Sequence, residues 1–214
     1  MHEPVRTTLV ESSSRVRSRK FKAILAGGIA LGLGATITLA AWNDSEYATG
    51  TFTAGTFDME GSTDGTTYTS HPAPEDAAAL AFSTGFNDIS PGDVVAAPFA
   101  VRLAAGTTYD ATVTVAGAVP DPSPFVGLTY GIATVGAFTD CSATPTAPTW
   151  IVPQGTALNA VATPAVPFDL TQGVDAATPG APAYLCFVVT ADEDLVQGST
   201  VTETWQLLAE SVPA

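Results

Sequence analysis

"PFAVRLAAGTTYDATVTV", residues 98–115, decides the fold class. In "ATVTV" (111–115), Ala111, Val113 and Val115 fall on one side and Thr112 and Thr114 on the other. Successive side chains of a strand point to opposite faces, so a period of two marks a half-buried strand. "PFAVRL" (98–103) repeats the pattern, with Phe99, Val101 and Leu103 inward and Arg102 outward. Pro98 has no N–H to give a ladder, which predicts that this strand starts there or lies at a sheet edge. Ala105-Gly106 between the two runs reads as a turn.

The same reading extends along the chain. "AYLCFVV" (183–189) is apolar on both parities, the mark of a strand covered on both faces. "STVTETWQLLAE" (199–210) puts Val201, Trp205, Leu207 and Ala209 on one face, with Glu203 sharing that face near a rim. Turns are predicted at Pro91-Gly92, at Gln197-Gly198, and in the Pro-rich stretches 117–124 and 142–153. "APEDAAALAF" (73–82) predicts one short helix with Pro74 in its first turn. Seven or more short strands with this punctuation imply an all-β chain, a β-sandwich of jelly-roll or immunoglobulin-like type. It is preceded by an apolar N-terminal signal helix.

Charge divides the chain. Six of its seven basic residues lie before residue 23, and after residue 40 Arg102 alone opposes nineteen Asp and Glu, a net charge of −18. Such a surface repels nucleic acid, whose binding depends on clustered Lys and Arg. It also excludes docking on anionic membranes through basic residues. It suits a soluble, self-repelling protein outside the cell, or one that collects cations.

Residues 1–40 read as an export address, with a basic cluster "RVRSRKFK" (15–22) followed by the uncharged "AILAGGIALGLGATITLA" (23–40). Eighteen apolar residues approach the length of a membrane span, so a retained anchor competes with cleavage. Four glycines weaken that helix, and Thr38 and Ala40 supply the small side chains a signal peptidase needs before a cut at Ala41. Expected domains are therefore a signal peptide at 1–40, an N-terminal arm or donor strand at 41–54, and a β-sandwich at 55–214. The membrane enters only for the precursor, and the mature protein is expected to be secreted, extracellular or on the cell surface.

A family resemblance sits at that junction. "LAAWNDSEYATGTFTAGTFDMEGSTDG" places Trp42-Asn43-Asp44 after a small-residue cut, then Thr51, Phe52, Gly55, Thr56, Phe57 and Asp58. This resembles the N-terminal signature of exported proteins processed by SipW-type signal peptidases, the TasA-like and camelysin-like family. The block "DISPGDVVAAPFAVRLAAGTTYDATVTV" (88–115), with its Pro91-Gly92-Asp93 turn, is similar to a second, less specific family block. The resemblance implies export through the Sec translocon with a SipW-type signal peptidase as processing partner. It implies a non-enzymatic structural protein of the extracellular matrix, with self-assembly into biofilm fibres in which residues 41–54 of one subunit add as a strand to the next. Phe52 and Phe57 lie at opposite parities, so one flat strand cannot bury both, and a bulge or bend is expected near Gly55.

Catalytic chemistry has little to stand on. Cys141 and Cys186 are the only cysteines, and an even count in an oxidising compartment predicts a disulfide. Camelysin has been classed with metallopeptidases, but His71 is the one histidine after the export segment and no H-E-x-x-H occurs. No catalytic residue and no metal ligand is assigned. Calcium is the one cofactor left open, by the acidic turns "DMEGSTDG" (58–65) and "ADED" (191–194), neither of which has the spacing of a known oxygen-ligand loop. Trp42, Trp150 and Trp205 are candidates for a sugar-stacking platform, although its alternation assigns Trp205 to the core. The alternatives to a structural role are a secreted camelysin-like hydrolase and a polysaccharide-binding module.

Overall fold

The computed structural model describes residues 22, 45–83, 85, 87–119, 127–158, 160 and 166–212. The expected signal helix, Thr38, Ala40, Ala41 and the Trp42-Asn43-Asp44 cluster lie outside them. By contact the chain divides into two units, Met1–Phe52 and Thr53–Ala214. Residues 45–52 of the first carry no helix or strand. Among the described residues no helix is long and apolar enough to cross a membrane.

The second unit is all-β. Its strands are β1 (Met59–Ser62), β2 (Val94–Leu103), β3 (Asp110–Val119), β4 (Leu128–Val135), β5 (Thr149–Ala157), β6 (Phe168–Leu170), β7 (Ala183–Ala191) and β8 (Thr204–Val212). They form two antiparallel sheets, ordered β1-β2-β7-β4-β5 and β6-β3-β8. Facing side chains of both sheets share one core. Val101 and Leu103 of β2, Ile132 of β4 and Leu185, Phe187 and Val189 of β7 meet Ala111, Val113 and Val115 of β3, Leu170 of β6, and Trp205 and Leu207 of β8. Burying a Val, Leu or Ile side chain contributes about 1.5–3 kcal/mol, so this layer is the main favourable contribution to folding.

The alternation read from 98–115 is realised. Val101, Leu103, Ala111, Val113 and Val115 are buried, and Arg102, Thr112 and Thr114 are not. β7 is flanked by β2 and β4, and its two faces are both covered as the unbroken apolar run requires. Leu185, Phe187 and Val189 face the core between the sheets. Cys186 and Val188 face outward into a second cluster with Ala96, Val135, Cys141 and Trp150. The disulfide joins Cys141 to Cys186, pinning the segment after β4 over that outer face.

Four expectations are corrected. β2 starts at Val94, so Pro98 stands inside the strand, opposite Cys186 of β7. It is tolerated because β1 reaches only Ala100–Leu103, leaving 94–99 as a local edge. On that side Ala96 bonds Ser83, through Ser83 N–H to Ala96 O (2.8 Å) and Ala96 N–H to Ser83 Oγ (3.1 Å). Pro98 shares the parity of Ala96, so its missing donor falls where no ladder needs it. Second, the expected helix at 73–82 shrinks to one 3-10 turn, Pro74–Asp76. Leu80 and Phe82 both pack on the core, and residues two apart do not share a helix face.

Third, the stretches 117–124 and 142–153 are not loops throughout. β3 runs to Val119, and β5 starts at Thr149 and includes Pro153. β5 is an edge strand, and its register breaks between Tyr130 and Ile132, where Gly155 takes φ of +81°. A proline at a bulged edge costs no ladder bond. Fourth, "TFTAGTFD" (51–58) is not a strand. Thr56 alone makes an isolated parallel bridge, to Thr107.

Two outcomes test this layout. The disulfide links residues 45 apart, so a Cys141→Ala, Cys186→Ala double variant should lose about 4 kcal/mol of unfolding free energy in denaturant. Gly61 lies against the Phe99 ring with no room for a Cβ, so Gly61→Val should lower the melting temperature by several degrees, whereas Gly198→Ala, which meets nothing, should act only through its φ of +78°.

Candidate functional site

Of the residues marked by the resemblance, Gly55, Thr56 and Asp58 lie at one end of β2 and Pro91-Gly92-Asp93 at the other. At its C-terminal end, Asp58 O accepts from Ala104 N–H (3.0 Å), Thr56 O accepts from Thr108 N–H (3.0 Å), and the Thr56 hydroxyl donates to Gly106 O. Gly55 presses its backbone against Thr108 and Tyr109. It does not take a positive φ, so its service is close approach rather than the expected bulge. The premise behind that bulge also fails, because Phe52 is 96% exposed and Phe57 39% exposed, and neither has to be buried.

At the other end, Pro91-Gly92-Asp93 forms the turn that enters β2. Gly92 takes φ of +92°, which a glycine adopts without strain. The Asp93 carboxylate accepts from Ser90 N–H (2.8 Å), and Gly92 N–H and Asp93 O bond Ala191 at the end of β7 (both 2.9 Å). β2 is ten residues long, which separates the two groups by about 30 Å. They are two independent fastenings and not one site.

Four carboxylates of the acidic turns, those of Asp58, Glu60, Asp64 and Asp192, have protein partners. Asp58 accepts from the Ser70 hydroxyl at 3.0 and 2.9 Å. Glu60 Oε2 accepts from Nε and Nη2 of Arg102, both at 3.1 Å, and the guanidinium lies 3.9 Å from the Tyr68 ring centroid. Asp64 accepts from Thr66 N–H and Thr67 N–H at 2.7 Å and from the Ser62 hydroxyl at 2.8 Å. The Thr67 and Thr66 amides, then Ser62, hold its carboxyl well below the usual carboxylate range. In the second turn, Asp192 Oδ1 accepts from Asp194 N–H (2.9 Å). Among the described residues no three His, Cys, Asp or Glu converge on a point where a metal ion would be held.

His71 contacts Thr69 Oγ1 through Nε2 (3.2 Å) and lines a cavity of about 390 Å³ with Ser62, Asp64 and Thr67. Trp42 lies outside the described residues, and Trp150 and Trp205 do not share a platform. Trp205 packs in the core against Tyr130 (5.6 Å) and Phe187 (5.1 Å), while Trp150 lies on the outer face of the larger sheet with Cys186 and Val188. Burial raises the Tyr130 phenol, with the Glu203 carboxylate adding to the rise. Its hydroxyl donates to Ala160 O (2.9 Å).

What distinguishes this surface is its sheet edges. β1 is closed by Thr69, which exchanges both backbone bonds with Gly61 (2.9 and 3.0 Å). β5 carries Pro153 and the Gly155 bulge, and Ile151 O accepts from Val166 N–H (3.3 Å). β6 has three residues. β8 is different. It offers nine residues, Thr204–Val212, with no Pro, Gly or Lys and no bulge of its own. Among the described residues no backbone bond reaches it from outside β3. Leu208 (43% exposed) and Val212 (44%) stand open on it. Proteins ordinarily blunt such an edge. The doublet Leu207-Leu208, which forces one leucine outward in an alternating strand, is the sequence signal that marks it.

The second unpartnered element is residues 45–55, all exposed. Within it Ala48, Gly50, Phe52 and Ala54 alternate with Thr49, Thr51 and Thr53. That is the pattern of a half-buried strand in a segment that pairs with nothing described. No protein-family model matches the chain, and no characterised protein is significantly similar to it.

The Asp64 turn carries a pH prediction. A carboxyl depressed in the folded state stabilises fully above its unfolded value of about 3.9 and loses that contribution as pH falls through its folded value. Asp64→Ala should therefore melt below the wild type at pH 7, and thermal scans should show the gap closing as pH falls below about 4.

Proposed function

We propose that this chain is a secreted or cell-surface structural protein whose subunits assemble by strand addition, and that it catalyses no reaction of its own. The observation that carries the reading is the run 48–54, a strand pattern that joins no described strand, in a chain whose smaller sheet ends, among the described residues, on an open edge. An extended segment and an open edge satisfy each other through main-chain hydrogen bonds, with alternate side chains supplying specificity. In this reading the exported chain begins at Ala41, residues 41–54 are the donor, and Phe52 is its anchoring side chain.

Strand order supports the acceptor. A jelly roll pairs its strands 2-7-4-5 in one sheet and 1-8-3-6 in the other. Here β2-β7-β4-β5 and β8-β3-β6 follow that order, while β1 lies beside β2 instead of β8. The body is in this reading a jelly roll short of one strand, and the donor fills the place beyond β8. The disulfide fits an oxidising compartment. The resemblance to TasA-like exported proteins, noted on residues 42–58 and 88–115, points the same way.

A body of such negative charge repels its copies, so assembly should strengthen with ionic strength and with calcium. The full chain, recovered from the medium of a secreting host, should give elongated assemblies by electron microscopy that grow more numerous between low and physiological salt. Phe52→Asp should abolish them without moving the melting temperature. A single monomeric peak on a sizing column at every salt and calcium level would overturn the reading.

A further inference from the structure

We infer that the β8 edge also pairs with itself: two copies join β8 to β8, antiparallel about Leu208, in a symmetric dimer that occupies the acceptor edge. The pairing follows from the edge alone. Its effect on assembly rests on the strand-addition reading above.

Three edges are blunted, by Thr69 on β1, by Pro153 and Gly155 on β5, and by the three-residue length of β6. The fourth runs unbroken through nine residues, and the bulge in its sheet, between Val115 and Gly117, belongs to β3. An exposed, regular edge carrying apolar side chains is a template for another chain. A second copy brings the same edge, and a two-fold axis lets one patch satisfy itself.

The register is determined by two requirements. Opposed residues must project to the same face, and all nine must pair. Only the arrangement centred on Leu208 meets both, with Thr204 facing Val212 of the second copy and Leu208 facing Leu208. Inward, Leu207 meets Ala209, continuing the core face that Trp205, Leu207 and Ala209 already form. Outward, the two exposed Leu208 side chains cover each other, and Val212 is covered by Thr204. The one charged residue of the strand, Glu210, falls opposite Gln206, so no like charges are opposed, an arrangement that would destabilise the ladder. In this dimer both acceptor edges are consumed, so it stands as a resting form that the arm must displace.

The test is a full-chain Leu208→Cys variant exposed to a mild thiol oxidant. It should form a covalent dimer through residue 208 on non-reducing gels, with Cys141–Cys186 intact by peptide mapping. Val212→Cys alone should crosslink at least ten-fold more slowly, whereas an equal mixture of Thr204→Cys and Val212→Cys chains should give the mixed dimer. Leu208→Lys should weaken dimerisation of the otherwise wild-type chain at least ten-fold by sedimentation. Equal crosslinking of the 208 and 212 variants would overturn the register, and an unchanged dimer in Leu208→Lys, or a wild type with no dimer, would overturn the inference. A Phe52→Cys, Leu208→Cys mixture that crosslinks while Leu208→Cys alone does not would sink the symmetric dimer and leave strand addition standing. Dimers without any larger assembly would do the reverse.

Discussion

The structure depends on the burial of β7 on both faces. Phe187 on one side meets Phe99 of the neighbouring β2 and Trp205 across the core, and Cys186 on the other side ties the segment after β4 to the sheet. β2 and β4 both take their register from this strand. Its run "LCFVV" (185–189) holds no polar side chain, so neither face can be left to water without exposing several large apolar groups. Everything outside the larger sheet is arranged around that constraint: the smaller sheet covers one face, and the disulfide-held segment with Trp150 covers the other.

A second constraint is electrostatic. Arg102 is the one Lys or Arg after residue 40, and it pairs across the β1–β2 ladder with Glu60. Several other carboxylates, among them Asp58, Asp64 and Asp93, are held by amides and hydroxyls. Such contacts fasten turns locally. They leave the surface strongly negative, so the association proposed between copies would rest on directional main-chain bonds and apolar cover rather than on charge.

Much of the fold was legible from periodicity. The alternation at 98–103 and 111–115, the two-sided run at 183–189 and the turns at Pro91-Gly92, Ala105-Gly106 and Gln197-Gly198 are local consequences of pleat geometry and turn chemistry. The errors share one cause. Pro98 inside β2, Pro153 inside β5 and the truncated helix at Pro74 all depend on which neighbour a segment meets. Ser83 beside Ala96, and the bulge opposite Tyr130 and Ile132, are contacts between residues distant in sequence. The acidic turns were visible as charge, but the partners of Asp58 and Glu60 were not, because Ser70 and Arg102 come from elsewhere in the chain.

By itself the sequence determined an all-β body, the alternating faces of its strands, the one candidate cysteine pair and the unbalanced charge, since each of these follows from neighbouring side chains or from composition. Tertiary structure alone decided the sheet order, the separation of the two motif blocks by the length of β2, and the edge left open. An edge is not a property of a strand. In Thr204–Val212 the Leu207-Leu208 doublet shows only that one leucine faces outward, and the segment becomes an unsatisfied row of donors and acceptors because the other strands are placed so that none described lies beyond it.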